Sequence, residues 1–344
     1  MQKIMILGIL YVLSIQIHFG QEKTVRPKNV DFSLVFGSCS KQNVAQPFWK
    51  EIQKHNPDLF IWGGDIIYAD SSDPKKIQEG YSIQNNNITY QKIKQSIPIM
   101  ATWDDHDYGK NDAGAEWELK KQSQQLFLDF LEIPKDSPRR MQKGVYHSQL
   151  FEIDKGNIKV ITLDTRYFRS PLKKSSVSDR RYVPYDNKEG TILGEEQWQW
   201  LEKELENNFS DFIIIVSSIQ FLSSEHGFET WGNFPHEVER LKHLLVSKSV
   251  RNAIILSGDR HISEFSTTKV NGLKYPLIDF TSSGLTHAYT NYKGESNQYR
   301  LGNVIAKPSF GVLYFDFDTY TVSMQMRGDH NILLQEFNKQ YPKD

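Results

Sequence analysis

The stretch TWDDHDYGKND, residues 102–112, sets four aspartates and one histidine directly behind the apolar run IPIMA. Carboxylates gathered in one place repel each other, and burying them unpaired is unfavourable, so such a cluster calls for a compensating charge. A divalent or trivalent cation supplies it. Partners for the ion stand elsewhere in the chain: GSCS carries Cys39, GGDIIYAD carries Asp65, and SGDRHISE carries Asp259 and His261. Asp, His and a thiolate are suitable ligands for metal ions. The glycines before Asp65 let the backbone pass close to such a centre. In an extended SGDRHISE, Asp259 and His261 point to one side and grip a single ion. Two metals sharing a carboxylate can clamp both oxygens of an in-line phosphoryl displacement.

Each piece has a plainer reading on its own. Asp65 after Gly-Gly is also a turn residue, His261 a hydrogen-bonded structural histidine, Cys39 a small buried hydrophobe, and the aspartates a solvated loop. Position favours the chemical reading. FSLVF (Phe32 to Phe36) predicts a buried strand before Cys39, LFIW (Leu59 to Trp62) one before Asp65, and IPIMATW one before the acidic cluster. NIKVITLDTRYFRS predicts a strand ending at Asp164 and Arg166, and NAIILSGDRHISEF one running into Asp259 and His261. Ligands of α/β sheets bind beyond the carboxyl ends of strands, so these residues can converge. Helices are expected at QPFWKEIQKHNPD and at LGEEQWQWLEKELENN, where Trp198, Leu201 and Leu205 share one face and belong to the core. Residues Ser71 to Thr89, polar and Asn-rich, are expected to be an irregular surface insertion, and Ser170 to Glu189 a polar loop. Alternating stretches between Tyr275 and Phe337 suit antiparallel strands and make the expected sheets mixed.

The 344 residues, 38% of them hydrophobic, are enough for a packed α/β core. Lys plus Arg number 41 against 42 Asp plus Glu, which offers no basic surface for a stable nucleic-acid complex. Residues 1–20 combine Lys3, an apolar stretch from Ile4 to Ile17 and small Gly20, the layout of a secretory signal peptide. The stretch is short for a membrane span of about 20 residues, so the mature chain, residues 21–344, is expected to be a single exported domain, periplasmic or secreted, without integral membrane association. A lone cysteine in an exported protein forms no internal disulfide, which makes Cys39 a candidate for metal chemistry.

GSCS, GGDIIYAD, TWDDHDYGKND, LDTRYFR, LGEEQWQWL and SGDRH, in that order, resemble the signature blocks of the alkaline phosphatase D (PhoD-like) family of metallophosphoesterases. The resemblance implies a four-layer α-β-β-α sandwich with two mixed β-sheets and a calcineurin-like core, a metal site at one edge, and ferric iron with calcium, or other divalent metals, as cofactors. It implies that Cys39 and Tyr68 are iron ligands, that Asp65 bridges the metals, and that Asp105, Asp259 and His261 complete the ligand set. His106 resembles the histidine that protonates the leaving oxygen, and Arg166 and Arg260 those that bind phosphate oxygens. The implied activity is hydrolysis of small phosphate monoesters or diesters by metal-activated water. This chain has Asp-His-Asp where many members have Asp-His-Glu, and Asn111 follows a Gly-Lys pair. The N-terminal β-domain of larger members and their C-terminal capping helix are not expected here. The alternative is an exported binding protein whose metal site is structural.

Overall fold

Uncharged apolar runs form the middle of two β-sheets. The computed structural model describes residues 24–343 apart from 178 and 207, so the expected leader lies outside the described residues. The elements run β1 (Phe32–Gly37), α1 (Phe48–Lys54), β2 (Leu59–Gly63), α2 (Pro74–Asn85), α3 (Ile88–Ser96), β3 (Ile99–Thr102), α4 (Asp105–Tyr108), α5 (Lys120–Phe130), β4 (His147–Ile153) and β5 (Gly156–Thr162). They continue with α6 (Gly194–Leu205), β6 (Phe212–Val216), α7 (Pro235–Ser247), β7 (Ala253–Ser257), β8 (Ser263–Thr268), β9 (Leu277–Ser282), β10 (Arg300–Ile305), β11 (Phe310–Asp316), β12 (Thr321–Arg327) and β13 (Leu333–Gln340).

One sheet has the order β13-β12-β11-β1-β2-β3 and the other β10-β8-β9-β7-β6-β5-β4. In the first, β1, β2 and β3 are parallel and β11 to β13 antiparallel; in the second, β5, β6, β7 and β9 are parallel. Both sheets are therefore mixed, as expected. Side chains alternate along each strand, so a strand buried on both faces is apolar throughout. Leu34, Phe36, Leu59 and Ile61 face the second sheet and join its core, while Val35, Phe60 and Trp62 pack with Phe48, Trp49, Tyr90 and Phe127 of α1, α3 and α5. Phe36 meets Phe280 edge-on at 4.8 Å, and Phe212 meets Phe315 at 5.2 Å, joining the sheets. Trp198, Leu201 and Leu205 of α6, with Leu241 and Leu245 of α7, belong to the same buried cluster as the second sheet.

The segment expected to be irregular, Ser71 to Thr89, holds α2 and the start of α3. Its polar residues are helix ends. Asp73 accepts from Lys75 N, Pro74 opens α2, and Asn87 accepts from Thr89 N and Tyr90 N. Ile77, Tyr81, Tyr90 and Ile93 supply the buried face. The tail gives β9 to β13 as expected, although β9 pairs parallel with β7. No helix among the described residues is long and apolar enough to cross a membrane.

Candidate metal centre

All parallel strands point their carboxyl ends to one edge, and there the chemistry-bearing residues gather. Cys39 follows β1, Asp65 follows β2, Asp104 to His106 follow β3, Arg166 follows β5, and Asp259 to His261 follow β7. A bridge between Ser38 and Ser283 stitches the ends of β1 and β9 together across the sheets. The turns that present the side chains are strained. Cys39, Asp65, Asp70, Asp112, Asp259 and His261 all have positive φ, between 41° and 67°. Left-handed backbone costs a non-glycine residue about 1–2 kcal/mol, so so many such turns in one place mark a functional site. Gly64, with φ 97°, is the glycine that matters: a Cβ there would stand 2.6 Å from Cβ of Asp104, whereas one at Gly63 meets nothing closer than 3.7 Å.

Two ligand groups share Asp65. In one, Cys39 Sγ donates to Asp65 Oδ2 at 3.3 Å, and Tyr68 OH lies 3.3 Å from the same oxygen and 3.0 Å from His261 Nε2. In the other, Asp65 stands with Asp105 and His106, their ligand atoms within 4.8 Å of one another; Asp105 is shared again with Asp104 and Asp259. The structure thus brings together Cys39, Asp65, Tyr68, Asp105, His106, Asp259 and His261. Asp259 and His261 do not grip one point as an extended strand would allow: their left-handed turns send Asp259 to Asp104 and Asp105, and His261 to Cys39 and Asp65.

The electrostatics are those of a cation site. Burial, then the neighbouring Cys39 and Asp105, push the Asp65 carboxyl well above its usual range, and burial with Asp104 and Asp105 does the same to Asp259. Burial pushes the Cys39 thiol up to about 11 and the His261 imidazole down to about 4. Burial would also lower His106, but Asp65 and Asp70 outweigh it and raise the imidazole to about 10. Asp104 Oδ2 and Asp105 Oδ1 are buried without hydrogen-bond partners. Orphaned carboxylate oxygens beside a thiol, a phenol and an imidazole fit metal ions, hard donors on one side and a soft one on the other.

A cavity of about 340 Å³ adjoins these residues, lined among others by Asp105, His106, Asp259, His261 and Arg260. Arg260 lies over the Phe228 ring, 4.3 Å from its centroid, and pairs with Glu295 at 2.7 Å. Arg166, expected to bind phosphate oxygens, is elsewhere. It is fully buried beneath the site and held by Asp104 at 2.5 Å and Glu229 at 2.6 Å, so its guanidinium balances protein carboxylates instead of a ligand. The last aspartate of Asp-His-Asp, Asp107, is a scaffold group that accepts from Asp104 N at 2.6 Å and Ile66 N at 3.1 Å.

Residues not singled out from the sequence also belong here. Asp70 holds His106 Nδ1 at 2.7 Å, Arg181 and Phe228 line the cavity, and the His287 ring stands 4.4 Å from that of His261. Arg181 sits in a loop with no pattern of its own, and Glu229 in a turn. No local signal announces either.

Two mixed sheets with a thiol, imidazoles and shared carboxylates at their common edge define an α/β sandwich with a candidate metal centre. The chain belongs to the PhoD-like phosphatase family, whose profile matches residues 34–322. It is 25% identical over 324 residues to alkaline phosphatase D of Bacillus subtilis (strain 168), a match covering 77% of this chain and 54% of the relative. The chain therefore spans about half the length of that curated relative. A solved structure of PhoD matches with a TM-score of 0.74 and 18% identity over 93% of this chain and 71% of that one. A dimetal phosphatase from Danio rerio matches with a TM-score of 0.57 and 13% identity over 91% of this chain and 100% of its own. GAP50, the anchor in the inner membrane complex of Plasmodium, has the same TM-score, 0.57, and 13% identity over 91% of this chain and 90% of that one. At these identities the structural likeness concerns the fold, and function has to be argued from the site.

Proposed function

We propose that this protein is an exported, metal-dependent phosphoester hydrolase acting on small phosphate monoesters or diesters. The observation that carries the reading is the sharing of Asp65 and Asp105 between adjacent ligand groups at the wall of a cavity. Cys39, Asp65, Tyr68 and His261 would hold one ion, ferric iron by family resemblance, and Asp65, Asp105, Asp104 and Asp259 the calcium side. Bound metals would neutralise the phosphate and lower the pKa of water from 15.7 toward about 7.

The chain's own groups have separate tasks. His106 is fixed by Asp70 through Nδ1, which leaves Nε2, 4.0 Å from Asp105 Oδ1, as the atom that hands a proton to the leaving oxygen. Arg260, 8% exposed and oriented by Glu295, presents a guanidinium to phosphate oxygens in the cavity. Arg166 acts at one remove, holding Asp104 where the ligand group needs it.

The test is hydrolysis of a chromogenic phosphate monoester and the matching diester by the mature chain supplied with iron and calcium. Turnover of either ester that chelation abolishes supports the reading, and the ratio names the ester class. Bound metal with no turnover of either would replace it with the binding-protein alternative.

A further inference from the structure

Ser283 follows β9, is fully buried, and touches two of the candidate ligands at once. Its Oγ accepts the backbone N–H of His261 at 2.7 Å and lies 3.0 Å from Cys39 Sγ. The amide has only a hydrogen to give, so the serine oxygen is the acceptor in that bond and its own hydrogen is free for the sulfur. The Tyr68 hydroxyl also approaches the sulfur, but it is itself a candidate ligand that lies against Asp65 and His261. The remaining polar neighbours cannot serve a thiolate in this way. Ser38 Oγ is 3.6 Å away and donates to the carbonyl of Ser282 at 3.2 Å; the Asp259 carbonyl, at 3.8 Å, and the Asp65 carboxylate, at 3.3 Å, are acceptors.

We propose that Ser283 is a positioning residue for the metal centre: its hydroxyl donates to the Cys39 thiolate when the sulfur ligates a cation, and the same oxygen fixes the turn that carries His261. The proposal rests on the reading of Cys39 as a metal ligand. Hydrogen bonds to a ligating sulfur draw electron density from it and tune the metal, and partners outside the ligand set commonly change metal affinity by about 10–100-fold. Ser283 links a ligand from the end of β1 with one from the end of β7, so it couples their spacing as well as the electronic character of the sulfur.

The experiment titrates the full chain, stripped of metal, with Co2+ alone and follows the sulfur-to-cobalt charge-transfer absorption. In the parent protein the band is expected and Cys39→Ser removes it. Ser283→Ala should retain the band, move it to lower energy because the sulfur has lost a donor, and weaken Co2+ binding by about 10–100-fold. Ser283→Thr, which keeps a hydroxyl, should return the band toward its parent position, and Ser38→Ala should leave it in place. Unfolding midpoints of the stripped variants show that the comparison is between folded proteins. A band unmoved in Ser283→Ala, with Cys39→Ser still abolishing it, overturns the role of Ser283 and leaves the cation site standing. A parent protein that binds Co2+ without any sulfur band overturns both.

Discussion

Arg166 and Asp104 form an ion pair with no solvent on either side: Nη2 lies 2.5 Å from Oδ1, Nε 2.6 Å from the same oxygen, and both residues are fully buried. Glu229 holds the other end of the guanidinium at 2.6 Å and Ser218 donates to Asp104 at 2.6 Å. The arrangement supplies positive charge from below to a group of carboxylates that meets the cavity from above.

Removing that charge should therefore damage folding before it damages chemistry. Arg166→Ala leaves Asp104 without its cation and Glu229 with Arg169 alone, at 2.8 Å, and breaking a buried pair from one side costs about 3–5 kcal/mol. Urea unfolding of the metal-free variant at neutral pH is the check. A midpoint equal to that of the parent would show that the network is not a structural counter-charge.

His106 should behave in the opposite way. His106→Ala removes the proposed proton donor but none of the sulfur ligand group, so bound metal should persist while kcat falls by about 10²–10⁴-fold. Asp70→Asn, which weakens the hold on Nδ1, should give a smaller fall. Metal analysis beside steady-state kinetics separates the cases, and an undiminished kcat in His106→Ala would remove it from the reaction.

Metal removal should lower stability, because burial and mutual repulsion hold Asp65 and Asp259 in an unfavourable state that a cation relieves. Restoring iron and calcium to chelated protein should raise the unfolding temperature, with a gain of about 2.7 kcal/mol at a hundred times the dissociation constant. Asp65→Asn should abolish most of that response. A stripped protein whose unfolding is indifferent to added metal would speak against the site.

Acid should weaken the fold through His55, away from the metal centre. Burial pushes its imidazole down from 6.5 to about 4, and neutral His55 can satisfy Tyr314 OH at 2.5 Å and Asn331 Oδ1 at 2.7 Å. The unfolded chain takes up the proton first, so this contribution is intact above pH 6.5 and is lost as pH falls toward about 4. The loss amounts to about 2–3 kcal/mol near the lower end of that window, at 1.36 kcal/mol per pKa unit. Unfolding midpoints of parent and His55→Gln at pH 7 and about 4.5 give the comparison: the variant should lose less on acidification, and equal losses would dismiss His55 as a source.

What local sequence determines here is what needs only neighbours along the chain. The apolar runs before Cys39, Asp65 and Asp104 are strands because a strand covered on both faces must be apolar throughout, and their polar ends carry the candidate ligands. The motif residues Cys39, Asp65, Asp105, His106, Asp259 and His261 were thereby legible as one constellation. The Asn-rich segment misleads for a local reason as well: Asp73 and Asn87 are helix caps whose chemistry resembles that of a loop until the buried Ile77, Tyr81 and Tyr90 show which face is covered.

Tertiary structure decides the rest, because charge compensation and approach distance are properties of space. Which arginine meets a ligand depends on what lies over it: Arg166 is closed off by Asp104 and Glu229, whereas Arg260 borders the cavity. Which candidate ligand group Asp259 or His261 joins depends on left-handed turns that strand alternation does not foresee. Ser283 reaches Cys39 across 244 positions of sequence, and only the junction of the two sheets brings its hydroxyl to the sulfur.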